Sequence, residues 1–294
     1  MTHAAFDAVT EPVDILGESP VWCEREQALF WVDIRAPALC RLDGRGGVVQ
    51  RFSLPDLCGG VALSQDTRLV LALRTGLFTF ERGSGRIAAL LQPEPESLGN
   101  RLNESRCDPR GRLWVGTMRD YGAATTGSLY RVGHDLRCDR MLADITVPNA
   151  FCWSPDERTM YFADTRDGRL RAYDFDADEG RLGAMRVLVE ADALPGRPDG
   201  AAVDADGCIW SARYEGRAVA RITPDGRVDR VVDVPASRVT ACTFGGADRR
   251  TLYVTTARQK LAAEELATQP LAGALFALRV ESPGLPEPRF ALPR

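Results

Sequence analysis

The chain has 294 residues, 45% hydrophobic and 27% charged, the balance of a soluble globular protein. A net charge of −4 argues against a nucleic-acid partner, which favours a basic surface. No apolar run approaches the ~18 residues of a membrane span, and the start, MTHAAFDAVTEP, lacks the basic and apolar stretches of a signal peptide, so a cytoplasmic protein is expected.

In chain order, a strand-like stretch near Val13–Leu16 comes first. Six related blocks follow: SPVWCEREQALFWVDI (19–34), GVALSQDTRLVLAL (60–73), SRCDPRGRLWVGTM (105–118), AFCWSPDERTMYFADT (150–165), AAVDADGCIWSAR (201–213) and CTFGGADRRTLYVTTA (242–257). Each is an apolar run, a polar turn and a second apolar strand. Phased on Trp31, Leu71, Trp114, Tyr161, Trp210 and Tyr253, they recur about every 40–50 residues, the period of a β-propeller blade. The predicted fold is all-β: a six-bladed propeller of four-stranded antiparallel blades around a central channel, one domain over 1–294.

Residues 199–234 show the unit. The run 200–204 reads as the innermost strand, DADG as a turn, CIWSAR as the second strand, AVARI as the third and RVDRVVDV as the outer strand. Asp-Gly pairs supply the positive φ of tight hairpins, and alternating β-branched and aromatic residues support strands. Residues 258–267, RQKLAAEELA, read as the one short helix. GALFALRV (273–280) is the last strand, and the N-terminal strand is expected to complete its blade, removing an exposed edge.

The eight cysteines include no CxxC pair and read as small buried hydrophobes in a reducing compartment. The two histidines, His3 in the N-terminal tail and His134 in a GHD turn, do not support a histidine zinc site or a Ser-His-Asp or Cys-His arrangement. Trp22 and Trp153, near the inner strands, are pocket candidates; the other tryptophans read as core. Asp108, Asp156, Asp204 and Asp206 read as turn formers.

Polar residues recur at one phase. Five positions before the first turn stand Glu18, Gly59, Asn103, Asn149 and Asp199 in the first five units. Residues at the starts of inner strands share one end of a propeller's channel. Two carboxylates and two carboxamides there offer oxygen donors for a hard or borderline divalent ion. As single residues they are equally read as turn residues bonding their own backbone. Arg101, two positions before Asn103, can reach a substrate oxygen or remain a solvated loop arginine.

At these residues the chain resembles the SMP-30/gluconolactonase/luciferin-regenerating family of six-bladed propellers. The resemblance rests on LGESPVW (16–22), LFWVDI (29–34), CRLD (40–43), DPRGRLWVGTM (108–118), GSLYR (127–131), WSPDERTMYFADT (153–165), PDGAAVDADGCIW (198–210), RVTACTFGG (238–246) and TLYVTTA (251–257). It looks closest to bacterial sugar lactonases acting on aldonolactones such as arabinono-, xylono- or gluconolactone. The resemblance implies Glu18, Asn149 and Asp199 as metal ligands, Asp199 also as general base, and Arg101 and Asn103 as substrate contacts. Asp120 or Tyr121, in the loop after GTM, would take the place of an acidic substrate-contacting residue in some relatives. It also implies one divalent ion, Ca2+ or Zn2+ first, with Mn2+, Mg2+ or Fe2+ as alternatives. The chain departs from the family's pattern at Ser19, Glu104, Ser105, Ala150 and Phe151. The expected activity is hydrolysis of a sugar lactone by a monomer or small homo-oligomer with no nucleic-acid or membrane partner. A promiscuous metal-dependent esterase or organophosphate hydrolase, and a non-catalytic calcium-binding propeller, are the alternatives.

Overall fold

The computed structural model describes residues 5–94 and 99–293; His3 lies outside them. The described residues form six four-stranded antiparallel sheets, each following chain order from inner to outer strand except the last. The inner strands are Gly17–Cys23, Cys58–Leu63, Asn100–Cys107, Pro148–Trp153, Arg197–Val203 and Val239–Gly245. Each packs against the next, and the sixth packs against the first. The fold is a six-bladed β-propeller.

The six phasing residues are all buried, because a blade's strands are covered on both faces by neighbouring blades. The apolar clusters accordingly join blades in pairs: Phe30 of the first blade packs in one cluster with Leu71 of the second, and Trp210 of the fifth with Val254 of the sixth. All eight cysteines are free; seven are buried and Cys138 is half-buried.

Two expected elements lie elsewhere. The outer strand of the sixth blade is Asp7–Ala8, which pairs with Phe276–Arg279, and not Val13–Leu16. The Ile15 and Leu16 amides instead donate to the Asp33 carboxylate, and Leu16 bridges Ala257. The helix spans Ala263–Thr268 and starts later than expected. Arg258 and Gln259 donate their amides to Ile15 O, and Lys260 has φ 57°, a left-handed conformation that a helix cannot include. Glu265 accepts the Ala262 amide and sets the helix start.

Asp108 and Asp204 do more than turn the chain. Asp204, fully buried, accepts the amides of Asp206 and Cys208, the Trp210 indole at 2.9 Å and Arg221 Nε at 2.8 Å. Asp108 does the same for the amides of Arg110 and Arg112, the Trp114 indole and Arg112 Nε. One carboxylate thus ties the turn to the core tryptophan of its own blade. Asp204→Ala leaves the Trp210 indole and the two turn amides without their acceptor, while Arg221 keeps Asp206 and Asp229, and is expected to cost about 2–3 kcal/mol in urea unfolding. A loss below ~1 kcal/mol would reduce Asp204 to an ordinary turn residue.

After Phe276–Arg279 the chain crosses one end of the ring. Gly284 bridges Asp204 of the fifth blade, and Phe290, fully buried, bridges Ser64 of the second. Between them Glu287 pairs with Arg106 of the third inner strand at 3.2 Å.

Candidate active site

The opposite end of the channel holds the polar residues. Every inner strand slips register beside this end, between Glu18 and Val21, Cys58 and Gly60, Leu102 and Ser105, Asn149 and Cys152, Pro198 and Ala201, and Val239 and Ala241. Such bulges re-aim side chains that a regular strand would point into a neighbouring blade. Ser19 and Ala150, the residues after Glu18 and Asn149, take φ 50° and 64°. A side chain in that conformation costs about 1–2 kcal/mol, so the departures from the family's pattern at Ser19 and Ala150 fall on strained positions. Phe151 does not narrow the mouth; it is fully buried and stacks on Phe162.

Two carboxylates fix the strand starts. Asp33 accepts the amides of Ile15, Leu16, Arg35 and Ala36, holding the chain that leads to Glu18. Asp164 accepts those of Thr146, Val147 and Arg166, and holds the chain leading to Asn149.

A hydrogen-bonded chain then runs around the mouth. Arg101 Nε donates to Asp120 at 3.0 Å, and its Nη1 donates to Asn103 Oδ1 at 2.7 Å. Asn103 Nδ2 donates to Asn149 Oδ1 at 3.0 Å. Asn149 Nδ2 donates to Thr165 Oγ1 at 2.9 Å, and Thr165 donates to Pro198 O, beside Asp199, at 2.8 Å. Arg101, Asn103, Asn149 and Asp120 are therefore brought together. Tyr121 joins this chain only through Arg35, which donates to Asp120 at 2.8 Å and to the Tyr121 hydroxyl at 3.3 Å and lies over its ring; Tyr121 itself is 71% exposed.

Glu18 and Asp199 are buried at the same end. Glu18 Oε2 accepts the Ser19 amide at 3.1 Å. Burial pushes the Glu18 pKa up to about 7 against the pull of the Ser19 amide and Arg101. Burial raises Asp199 well above the usual carboxylate range, and the charges of Glu18 and Glu104 raise it further. Asp199 Oδ1 is buried without a hydrogen-bond partner among the described residues. An orphaned carboxylate oxygen facing a second carboxylate is the state of a site whose counter-charge comes from outside the chain.

One residue at this end was not singled out from sequence, and a second was noted only as a departure from the family's pattern. Thr240 holds the equivalent place in the sixth blade and donates to Gly17 O at 2.5 Å. The same five-residue count from Gly245 finds it. Glu104 is buried below Asn103, accepts the Phe151 amide at 3.2 Å, and is pushed up to about 8 by burial against the pull of Arg106. That departure was its one signal in the sequence, because the bulge puts it out of phase with the alternation. Trp22 and Trp153 lie at the far ends of their inner strands, away from this mouth. Trp22 stacks on Tyr253, and Trp153 lines a cavity of about 360 Å3 at the end closed by the C-terminal segment. That cavity, walled by Phe244, Leu285, Pro286 and Pro288, lacks the polar ring.

Glu18, Asn149 and Asp199 are the oxygen donors at this end that could hold a metal. Among the described residues no three His, Cys, Asp or Glu side chains form a metal-binding group by themselves, so a carboxamide must complete the set. Asn149 Oδ1 accepts one hydrogen bond and has a second lone pair. Asp199 Oδ1 and the Glu18 carboxylate supply the charge. An all-oxygen set of this kind suits a hard or borderline divalent cation.

Arg35 and Arg74 extend the site outward. Both reach Asp120, at 2.8 and 3.4 Å. Burial opposes the charge of Asp120, but Arg35, Arg101 and Arg74 hold its pKa below the ordinary value. Burial and the repulsion of Arg35 push Arg101 below its own.

The chain matches known proteins over almost its whole length. The chain is 41% identical over 291 residues to the 6-deoxy-6-sulfogluconolactonase of Pseudomonas putida, covering 98% of this chain and 99% of that protein. It is 36% identical to the L-arabinolactonase of Azospirillum brasilense, covering 94% and 92%. The crystal structure of a calcium-binding protein, regucalcin, from Agrobacterium tumefaciens superposes with TM-score 0.93 at 32% identity, covering 98% and 97%. A family profile described as the SMP-30/Gluconolactonase/LRE-like region matches residues 16–258, and the chain belongs to that family.

Proposed function

We propose that the protein is a metal-dependent lactonase that hydrolyses a sugar lactone to its aldonic acid. The observation that carries this is the buried, unpartnered Asp199 Oδ1 beside Glu18, at the end of the Arg101–Asn103–Asn149 chain. Relatives named as lactonases for a sulfonated and a neutral sugar support the reaction class.

Glu18, Asn149 and Asp199 would hold the cation; when bound, it supplies Lewis-acid polarisation of the lactone carbonyl and stabilises the negative charge of the tetrahedral intermediate. Ca2+ and Zn2+ are the first ions to test. Asp199 takes a proton from the water that attacks the carbonyl carbon. As the carbon–ring-oxygen bond breaks, Asp199 returns that proton to the leaving ring oxygen, which becomes a hydroxyl. Arg101 and Asn103 orient the ring through its oxygens, which is where positioning lowers the barrier. Asp120 holds Arg101 in place for this. Glu104, buried beside Asn103, accepts the Phe151 amide and so holds the bulge that carries Asn149.

The test is a proton-release assay on a panel of aldono-1,4- and 1,5-lactones with each of the five ions added to the purified chain. Turnover of at least one lactone well above its spontaneous hydrolysis is expected. No turnover with any ion ends the lactonase reading. Faster turnover of aryl esters than of every lactone would make the protein an esterase.

A further inference from the structure

We propose that the lactone this site takes carries a tetrahedral oxyanion, a sulfonate or a phosphate, on its exocyclic carbon, bound by Arg35 and Arg74. This rests on the lactonase reading above and names its substrate class.

Arg35, Arg74 and Asp120 occupy the same place in three successive blades, just after the second strands Ala28–Asp33, Leu69–Leu73 and Leu113–Arg119. Three guanidiniums therefore meet one carboxylate: Arg101 from Asp120's own blade at 3.0 Å, Arg35 at 2.8 Å and Arg74 at 3.4 Å. One arginine suffices to neutralise Asp120, and Arg101 does so from beneath. The other partners in reach are Asp56, 3.1 Å from Arg74 and 40% exposed at its side chain, and the uncharged Tyr121 hydroxyl, which accepts from Arg35 Nη1 at 3.3 Å. Around Asp120 three positive charges thus face two negative ones, with Glu18 and Asp199 counted apart as the carboxylates whose charge a bound divalent cation would balance. The depth of these groups is ordered. The Asp120 and Arg101 side chains are 3% and 5% exposed, whereas those of Arg35 and Arg74 are 18% and 36% exposed. The carboxylate is the buried anchor and the two arginines are the accessible surface.

Donor and acceptor chemistry separates the substrate classes. A neutral sugar presents hydroxyls, which need acceptors as well as donors. Guanidinium groups offer five N–H donors and no acceptor. A rim built from Arg35 and Arg74 matches a group made only of acceptor oxygens. The two arginines come from different blades, so their donors are not confined to the plane of one guanidinium. That suits the three oxygens of a tetrahedral group better than the two of a planar carboxylate. The site is also in line with the chemistry, since Arg101 links Asp120 to Asn103 and Asn103 links to Asn149. The proposal places the lactone carbonyl at Asp199 and the exocyclic substituent at Arg35 and Arg74.

The test compares kcat/KM on glucono-1,5-lactone, its 6-phosphate, its 6-deoxy-6-sulfonate and its 6-carboxylate analogue, with the full chain and the activating ion. The expected result is a preference of roughly tenfold or more for a tetrahedral anion over the neutral lactone, carried by KM and shrinking as salt rises. Arg74→Met should cut that preference roughly tenfold, and Arg74→Lys should restore part of it. The sulfonate and phosphate arms decide which anion is the better ligand. Equal kcat/KM on neutral and charged lactones, or an unchanged ratio in Arg74→Met, overturns the inference and leaves the lactonase reading standing. Best turnover of the 6-carboxylate overturns it as well. Hydrolysis of none of the four, nor of any other lactone, removes the lactonase reading and this inference together.

Discussion

Asp199→Asn is expected to lower kcat for lactone hydrolysis by roughly 10²–10⁴-fold, the range of a lost general base, while the metal-free protein melts no lower than the parent. The carboxamide keeps the shape and can still offer an oxygen, but it cannot take a proton. The stability expectation follows from the surroundings. Asp199, Glu18 and Glu104 bury three carboxylates in one neighbourhood, and the pKa of Asp199 is raised by burial first and by the other two charges next. Its charge therefore weighs against the fold, and Asn removes that weight. Steady-state kinetics and a melting curve on the same preparation check both halves. Full activity in the variant would take Asp199 out of the mechanism. A melting point ~5 °C lower or more would mark the carboxylate as structural.

Removal of divalent metal is expected to abolish turnover, and add-back to restore it. The second readout is thermal. At a hundredfold excess over its dissociation constant an ion adds about 2.7 kcal/mol, which for a chain of this size is a rise of roughly 5 °C. Glu18→Gln should remove both the restored activity and the rise, because a neutral amide replaces one of the two charged ligands. The stripped protein should remain folded, since the blades are held by apolar faces and by carboxylates such as Asp204 that lie away from the site. Hydrolysis that persists after exhaustive chelation would separate the chemistry from the metal. A rise in melting point without any hydrolysis would leave a cation-binding propeller.

Much of the fold was legible because a propeller repeats its core chemistry. Trp31, Trp114 and Trp210 mark the second strands of their blades, and the polar phase at Glu18, Asn103, Asn149 and Asp199 could be read by counting. What escaped reading has physical reasons. The closing strand Asp7–Ala8 is two exposed residues without an apolar signal, so the stronger pattern at Val13–Leu16 attracted the assignment. The helix start was hidden by a left-handed Lys260 that no propensity encodes. Glu104 stands on a bulge, where the strand period fails. Arg35 and Arg74 lie in short loops, and only the ring brings them to Asp120 across two blades. Asp120 was named from the family resemblance, but its part as the anchor of three arginines is a property of the assembled ring.

The segment that crosses the far end of the ring gives the channel a direction. With Gly284 fastened to the fifth blade, Phe290 to the second and Glu287 clamped on Arg106, the space left beneath Glu104 is about 10 Å3, room for one water at most. The segment therefore narrows the channel at this end. On the proposed substrate reading, Arg35 and Arg74 would also hold the newly formed carboxylate, and release of the acid would slow the cycle.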